Sequence, residues 1–558
     1  MLIGGTVYFL VAYFVYGKFL KRTFGIDRNL PCPSVTDKDG IDYVPTQAPV
    51  LFGHHFASIA GAGPIVGPVL AAKFGWLPAI LWILLGCVFV GAMHDFAAMF
   101  LSVRNHGRSI AYVIEKELGY ACRQLFLLFC LFTLLLVVTV FTLMVADSFI
   151  GTPAVATASI IFICMAPIFG VLIKDRNLSL GEGSLIFVPI LFLAVWVGTL
   201  FPLDLGSLIS GLSVGMERGI WVVALLYYAF VASVIPVWFL LQPRDYLNSF
   251  LLYSMILIAL LGILFSHKTL ELPAVMGDAP LVPGLIPLLF VTIACGACSG
   301  FHALVASGTS AKQVAREQDI FPISYGGMLL EGVLAIIAVC SVAYLSGDQF
   351  KALAAGGATP QIMFAEGLGH FAESIGISFE VGKNFIALAI SAFLLTSLDT
   401  ATRLARFLWQ ELLMPSMAVQ EARQTDAANS EGGSVLNSLR NVFGNRWLAS
   451  FCVVVIAGML ALSGDGMQIW PVFGASNQLL ASLTLLAVTL FMLRKKKPFL
   501  FAMLPMFFMF FITVWALGLM IVQNWGKNMT LCIISILLLV LAGALGVFAI
   551  AKFKAHRK

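Results

Sequence analysis

The feature that most constrains the fold is a stretch in which glycine and proline interrupt an apolar segment. Residues 53–68 read Gly-His-His-Phe-Ala-Ser-Ile-Ala-Gly-Ala-Gly-Pro-Ile-Val-Gly-Pro. In a helix interior a glycine costs about 1 kcal/mol relative to alanine, and a proline about 3. Lipid cannot replace the lost backbone hydrogen bonds. We therefore predict a discontinuous membrane helix; a kinked helix that packs closely on its neighbours is the alternative.

The composition places the chain in a lipid bilayer. Of its 558 residues, 60% are hydrophobic and 11% are charged, whereas a soluble domain has about 25% charged residues. The net charge of +5 is small, and the basic residues cluster between apolar segments. We therefore expect the bilayer and a small molecule as partners, and no nucleic acid. The 10 cysteines are scattered and do not suggest a disulfide framework.

Motifs of enzymes and of resident cofactors are missing from the sequence. It contains no phosphate-binding loop, catalytic serine motif or zinc-protease motif, and Gly61-Ala62-Gly63 opens no βαβ unit. His54 and His55 have no cysteine or carboxylate beside them at ligand spacing. We therefore expect no enzyme activity, no cofactor and no metal site.

Apolar runs of spanning length predict fifteen membrane helices. They cover residues 2–18, 54–72, 77–101, 124–150, 153–173, 184–202, 219–241, 247–266, 286–310, 322–346, 384–410, 447–463, 471–493, 499–522 and 530–551. Lysine and arginine cluster in alternate loops, for example 18–28, 104–123 and 494–497. The alternation predicts an external N-terminus and a cytoplasmic C-terminus, and it assigns Arg244 to a cytoplasmic loop.

Polar stretches divide the chain into four predicted parts. These are an N-terminal helix with a basic flank (1–30), a ten-helix core (50–411), a cytoplasmic linker (412–446) and a C-terminal four-helix group (447–558). Two long stretches, 267–285 and 347–383, are predicted to be external loops that shape or cover an entrance.

An inverted repeat of five helices would place a second discontinuous helix five positions after the first. The helix at that position, 219–241, carries Ser233 and Pro236 in its interior, and we predict the second break there. An interrupted helix exposes backbone groups at the membrane centre, where half-helix N-termini can meet a substrate carboxylate.

The eighth helix of the predicted core, 286–310, is rich in small and hydroxyl residues and would pack against the first break. Ser307, Thr309 and Ser310 are candidate oxygen ligands for a coupling cation. The alternative is a packing helix whose hydroxyl groups bond to their own backbone.

Charged side chains inside a membrane cost about 2.5–3.5 kcal/mol at its centre and need partners or a wet cavity. Asp95 is the leading candidate for a proton or cation carrier; otherwise it is a structural partner of an arginine or histidine. The simplest interpretation of Asp399 is an ion pair with Arg403, four residues on. His54 and His55 point in different directions on a helix, and suit either proton coupling or gating and capping.

Long blocks of the sequence resemble the carbon starvation protein A (CstA) family. The blocks are residues 53–68, 94–96, 103–110, 236–248, 298–302, 307–313, 396–403 and 471–479. The resemblance spans most of the chain, is far more specific than any short motif, and is to the shorter members of the family.

The resemblance implies a secondary transporter of the bacterial inner membrane. The family is grouped with the amino-acid/polyamine/organocation carriers, which have a LeuT-type fold, and its members are associated with proton-coupled uptake of peptides and of pyruvate. We therefore expect an all-α polytopic membrane protein with a LeuT-like five-plus-five inverted-repeat core and discontinuous helices. One N-terminal helix and about four C-terminal helices would be additional.

The predicted function is ion-coupled import of small carboxylate-bearing nutrients, peptides or pyruvate, by alternating access, with H⁺ or alternatively Na⁺ as the coupling ion. The candidate substrate-binding residues are Gly61, Ala62, Gly63, Pro64, Ser233, Pro236 and Phe301. The candidate coupling residues are His54, His55, Asp95, Ser307, Thr309 and Asp399. The main alternative is a membrane nutrient sensor or scaffold without transport activity. The sequence leaves the choice between peptide and pyruvate open, as well as the oligomeric state.

Overall fold

The chain is helical throughout the residues that the computed structural model describes. These residues are 1–27, 30–175, 178–266, 268–276, 285–415, 442–463 and 469–556. The helices, in chain order, are α1 (Leu2–Phe24), α2 (Pro33–Thr36), α3 (Ala48–Ile59), α4 (Gly63–Ala71), α5 (Trp76–Gly86), α6 (Met93–Val103), α7 (Ile110–Leu118), α8 (Tyr120–Gly151), α9 (Pro153–Asp175), α10 (Leu180–Leu200), α11 (Leu205–Leu208), α12 (Val214–Val234), α13 (Leu241–Phe265), α14 (Leu288–Thr292), α15 (Gly300–Gly308), α16 (Gly327–Ala343), α17 (Gly347–Ala355), α18 (Pro360–Glu373), α19 (Phe379–Leu413), α20 (Arg446–Leu462), α21 (Trp470–Arg494), α22 (Leu500–Asn524) and α23 (Met529–His556).

The prediction of a multi-pass membrane protein is confirmed. In the described chain, 12 helical segments are long and apolar enough to cross a membrane, and the bent pair α3 and α4 makes a thirteenth. The two remaining predicted spans differ from the others. The span at 447–463 is α20, a shorter apolar helix, and the span at 286–310 is not a single helix.

The first predicted break is present. The segments Ala48–Ile59 and Gly63–Phe74 bend by 41° where they meet. Pro64 lies in the first turn of α4, where its missing N–H would have no helical partner. The helix begins at Ala48 rather than at residue 54, so His54 and His55 lie within α3 and not at its start.

The second predicted break is wrong. Helix α12 ends at Val234 and α13 begins at Leu241, so Pro236 lies in a connection between helices and not inside a span. The guanidinium of Arg403 donates to the carbonyl oxygens of Ala232 and Ile235. It thereby satisfies acceptors at the end of α12 that no further helical turn could satisfy.

The interruption lies instead in the predicted eighth helix. Helix α14 ends at Thr292 and α15 begins at Gly300. The residues between them, 293–299, include the run Ala-Cys-Gly-Ala-Cys-Ser, in which glycine, cysteine and serine favour a helix less than leucine does. This interruption is called the second break below, and residues 60–62 are called the first break.

A π-helical turn follows each break. Cys87–Ala92 forms one between α5 and α6, and Pro322–Gly326 forms one directly before α16. Such turns are rare and occur frequently at functional sites. Asp95 lies one turn after the first π-helical turn, and Glu331 lies five residues after the second.

The helix packing is reciprocal around the two breaks. Helix α4 packs against α16, and α15 packs against α6. Likewise α3 packs against α13, and α15 packs against α21. Helix α8 packs extensively against α19, and α12 packs extensively against α20. Helices α20 and α21, which the sequence assigns to the C-terminal group, therefore contact helices on both sides of the breaks.

Three stretches are predicted to be loops or a linker. Residues 347–383 are not an open loop, because α17 and α18 occupy most of them and α18 packs against α19, α13 and α16. In the stretch 267–285, residues 267 and 277–284 lie outside the described residues. Most of the predicted linker 412–446, namely residues 416–441, also lies outside them.

Candidate functional site

The second break touches the start of α4, directly after the first break. A Cβ added at Gly63 would overlap the Cβ and Sγ atoms of Cys295, which lies in the second break. At Gly61 it would press on the Oγ atom of Ser397 in α19, which donates to the Ser58 carbonyl oxygen at 3.1 Å. Glycine is therefore required at both positions, because a side chain would separate the first break from its neighbours.

A cavity of about 430 Å³ leads toward the breaks from one end of the helix bundle. It lies at the C-terminal end of α8 and the N-terminal end of α19, and two of its lining residues are Val66 and Leu394. Val66 is three residues after Gly63, and Leu394 is three before Ser397. The lining also includes Asp147 and Lys383, which are paired with Arg218 and Glu366.

The opposite end of the bundle is covered by residues 30–47, called the strap below. Asp42 of the strap lies 2.8 Å from the Nη1 atom of Arg403 and 3.4 Å from Arg406 Nη2. The Ile41 carbonyl accepts from the N–H of Val237 at 3.1 Å. The strap is thus bound to α19 and to the connection that follows α12.

Three basic side chains surround the single carboxylate of Asp42. Burial alone would raise the pKa of Asp42, but Arg403, Arg406 and Lys312 outweigh it and hold the pKa below its ordinary value. The side chains of Arg403 and Arg406 are almost completely buried. This carboxylate therefore compensates two buried guanidinium groups.

A first chain of buried ionisable groups joins four helices. His54 Nδ1 of α3 lies 2.7 Å from Asp245 Oδ2 of α13, and Asp245 Oδ1 accepts from Arg244 at 2.6 Å. Arg244 also donates to Asp399 of α19. The hydroxyl of Tyr228, in α12, donates to Asp399 Oδ2 at 2.7 Å. This set is called the Arg244 chain below.

The Arg244 chain corrects two predictions. Asp399 pairs with Arg244 and not with Arg403, because Arg403 extends to Asp42. Arg244 itself lies in α13 and is 1% exposed, so it is not in a cytoplasmic loop. A guanidinium buried in this way needs the two carboxylates that surround it.

A second chain of buried ionisable groups lies beside the second break. His94 Nδ1 is 2.8 Å from Asp95 Oδ1, and Asp95 Oδ2 is 3.0 Å from His302 Nδ1. The other ring nitrogen of His302 lies 3.4 Å from Glu331 Oε2. All four side chains are fully buried. This set is called the His302 chain; it confirms that Asp95 is a partner of histidines, and it leaves its role as a carrier a prediction.

The adjacent histidines diverge, as predicted. His54 points to Asp245, whereas His55 Nδ1 lies 2.8 Å from the Ser310 hydroxyl.

The predicted cation ligands are hydrogen-bonded to other groups of the protein. Ser307 Oγ donates to the carbonyl of Ala303 at 2.6 Å, and Thr309 Oγ1 accepts from Gln313 at 2.9 Å. Ser307 thus follows the backbone-bonding alternative.

The remaining predicted substrate residues lie in two places. Ser233 donates to Ser450 Oγ at 2.8 Å, where α12 packs against α20. It is distant in sequence from both breaks. Phe301 lies in the first turn of α15, and its N–H donates to Asn477 Oδ1 at 2.7 Å. Asn477 Nδ2 in turn donates to Ser299 Oγ at 2.9 Å. An asparagine of α21 therefore caps the helix that follows the second break.

No group of three or more histidine, cysteine, aspartate or glutamate side chains among the described residues is arranged to hold a metal ion. Sequence reasoning did not assign roles to several residues of the site. They are Tyr228, Arg244, Asp245, His302, Glu331 and Asn477. An available signal was the position of His302 and Glu331 inside apolar segments, where an ionisable residue indicates function.

Interrupted helices that meet beside buried ionisable side chains, inside a bundle of membrane spans, define the class of membrane transporters. The family model described as "Carbon starvation protein CstA" matches residues 1–360 and 354–516. The chain therefore belongs to the CstA family.

Curated relatives support this membership. The "Peptide transporter CstA" of Bacillus subtilis is 32% identical, with 97% of this chain and 95% of the relative covered. The protein of the same name from Escherichia coli is 32% identical, with coverage of 94% and 80%. The "Pyruvate/proton symporter BtsT" of Escherichia coli is 31% identical, with coverage of 92% and 80%. The protein is thus a transporter and not an enzyme.

Among solved structures, the chain is similar to a manganese transporter from Eremococcus coleocola. The TM-score is 0.48 at 14% sequence identity, with 93% of this chain and 99% of that chain covered.

Proposed function

We propose that the protein imports small carboxylate-bearing nutrients, peptides or pyruvate, across the inner membrane by proton-coupled alternating access. The observation that carries the proposal is the cavity between α8 and α19. Two of its lining residues lie three positions from contacts made at the breaks: Val66 from Gly63, which meets Cys295, and Leu394 from Ser397, which donates to the Ser58 carbonyl. The names of the relatives supply the two substrate classes and the proton.

The proposed substrate site consists of the first break with Gly63 and Pro64 of α4, and of the second break with Gly300 and Phe301 of α15. The N-terminal ends of α4 and α15 follow the two breaks. The dipoles of these two helix ends favour an anion. A substrate carboxylate would therefore bind between the start of α4 and the second break. In this proposal the residues of the second break take the substrate-binding role that the sequence assigns to Ser233 and Pro236.

The proposed core is a LeuT-like five-plus-five inverted repeat, as in the amino-acid/polyamine/organocation carriers. Its first half consists of α3 with α4, α5 with α6, α8, α12 and α13. Its second half consists of α14 with α15, α16, α19, α20 and α21. Exchanging the halves converts the contact of α4 with α16 into that of α15 with α6, which supports the assignment. Helices α9 and α10 are then an insertion, and two C-terminal helices rather than four are additional.

The proposed orientation has the N-terminus outside and the strap on the cytoplasmic side. The predicted cytoplasmic loops hold the excess of lysine and arginine. The cavity then opens outward while the strap and the Arg244 chain close the inner end. In this arrangement the protein can accept an external substrate.

The identity of the substrate decides which gradient drives uptake. A pyruvate anion that enters with one proton carries no net charge, so only the pH difference drives it. A zwitterionic peptide that enters with one proton moves a positive charge, and 100 mV adds about 2.3 kcal/mol. Inner negative potential should therefore stimulate peptide uptake and leave pyruvate uptake unchanged.

Uptake into proteoliposomes tests the proposal. Labelled pyruvate and a labelled dipeptide are offered with an inward proton gradient, an inward sodium gradient or neither. A pH difference of one unit should support about tenfold accumulation of the true substrate at one proton each. Liposomes without protein and an added protonophore are the controls. Binding without any uptake would refute transport in favour of a sensor, and equilibration that ignores every gradient would refute coupling.

A further inference from the structure

Glu331 is a buried carboxyl group that the proposed substrate site does not use. It is fully buried in α16, five residues after a π-helical turn. Within the described part of the chain, neither of its oxygens has a hydrogen-bond partner, and the same holds for His302 Nε2. The two groups nevertheless face each other, with Oε2 3.4 Å from Nε2. A buried carboxylate without a partner is unfavourable, so the contact needs a proton.

Among the residues that the structure describes, no fixed positive charge compensates Glu331. The ionisable side chains that face it or its partner are Asp95 of α6, His302 of α15, His55 of α3, Cys87 of the first π-helical turn and Cys295 of the second break. None of these carries a fixed positive charge. Nδ1 of His302 is hydrogen-bonded to Asp95. Because a carboxylate only accepts, this nitrogen carries a hydrogen and donates it to Asp95.

One additional proton therefore belongs to the contact between Nε2 and Oε2. It sits either on Glu331, which then donates to neutral His302, or on His302, which is then an imidazolium beside a Glu331 carboxylate. Both arrangements contain the same number of protons. Removing the proton leaves two carboxylates beside a neutral ring in a dry site, which is strongly unfavourable. The site holds this proton until water or a charge reaches it.

The second break connects this contact to the substrate site. His302 lies two residues into α15, directly after the break, and Cys295 of the break contacts Gly63. Glu331 lies on α16, which packs against α4 and α3. A movement of α15 at the break therefore changes the distance between His302 and Glu331.

We propose that Glu331 and His302 share the coupling proton, and that Asp95 is a positioning residue that holds His302 through its other ring nitrogen. On release, the proton passes from this contact to entering water, leaving a Glu331 carboxylate and a neutral His302. This inference rests on the proposed proton-coupled transport and names the group that binds the proton.

The test compares two modes of transport in the full-length protein. Glu331→Gln keeps the shape of the side chain but cannot ionise. It should lose the tenfold accumulation driven by a one-unit pH difference, yet retain exchange of labelled for unlabelled substrate. Glu331→Asp should restore pH-driven accumulation at a lower rate. Glu182→Gln, at an exposed helix cap, is the matched control and should behave as wild type. Proton-driven accumulation by Glu331→Gln would overturn the proposal, as would loss of exchange in a variant that remains folded.

A second measurement uses the wild-type protein and does not depend on how a variant folds. A hydrophobic carbodiimide adds to a protonated buried carboxyl, and mass spectrometry locates the adduct. We expect an adduct on Glu331 whose yield falls as the pH rises and when substrate is present. An unmodified Glu331, or modification independent of pH, would overturn the proposal. If wild-type transport is not coupled to protons, the proposed function fails; if it is coupled and Glu331 stays unmodified, this inference alone fails.

Discussion

Asp42 of the strap and Arg403 of α19 form an ion pair, with Asp42 Oδ1 2.8 Å from Arg403 Nη1. The same guanidinium donates to the Ala232 and Ile235 carbonyls at the end of α12. One arginine thus fixes the strap, α12 and α19 together at the end of the bundle opposite the cavity. Opening that end requires this pair to separate.

Removing the Asp42 charge should destabilise the protein. Asp42→Asn leaves Arg403 and Arg406 buried without a compensating carboxylate, and breaking such a pair costs about 3 kcal/mol. We expect a lower Tm in detergent. Asp37→Asn is the control, because the pair of Asp37 with His106 is exposed and contributes at most about 1 kcal/mol. Equal Tm values for the two variants would contradict the prediction.

The stabilisation from Asp42 should depend on pH in one direction. Its pKa is lower in the folded protein than its ordinary value of 3.8. The contribution is therefore fully present above that value and is lost as the pH falls through the lower, folded pKa. The difference in Tm between wild type and Asp42→Asn should be constant near neutral pH and shrink below about pH 4. A difference that grows on acidification would have the wrong sign.

The effect of a larger side chain at Gly63 should be reversed by a smaller one at Cys295. Gly63→Ala places a methyl group against Cys295, and overpacking of this kind costs about 1–3 kcal/mol. We expect lower Tm and at least tenfold slower uptake. Cys295→Gly should restore both when combined with Gly63→Ala, because it removes the atoms that overlap. Gly518→Ala, with open space around it, is the control. Additive effects in the double variant would show that the two residues do not interact.

Asn477 should control the start of α15. Asn477→Ala removes the acceptor for the Phe301 N–H and the donor to Ser299. The loss of a cap costs about 1 kcal/mol, so Phe301 should exchange its amide hydrogen faster and uptake should slow. Ser476→Ala is the matched control, because among the described residues the Ser476 hydroxyl bonds only to the Phe473 carbonyl of its own helix. Unchanged exchange at Phe301 would contradict a capping role.

The sequence predicted the membrane spans and the first break well, because both depend on local chemistry. A spanning helix needs about 20 apolar residues, and Pro64 with two glycines interrupts a helix wherever it lies. The second break has no proline between residues 293 and 299. Counting helices places the second break in the helix 219–241 instead, and the proposed insertion of α9 and α10 accounts for this error of two helices.

The buried ion pairs could not be predicted because they join distant parts of the chain. Arg403 lies four residues after Asp399 in the same helix, but Asp399 pairs with Arg244 and Arg403 pairs with Asp42. Spacing along a helix identifies which residues can meet, whereas burial decides which charges must be compensated. A partnership with an arginine or histidine is only the alternative that the sequence offers for Asp95, and its second histidine, His302, comes from the far side of the second break.

The overlap that a Cβ at Gly63 would make with Cys295 has a mechanical consequence. The start of α4 and the second break leave no space between them, so neither can move toward the other. We therefore expect a conformational change to turn the helices about this contact, with larger displacements at the two ends of the bundle than at the contact itself.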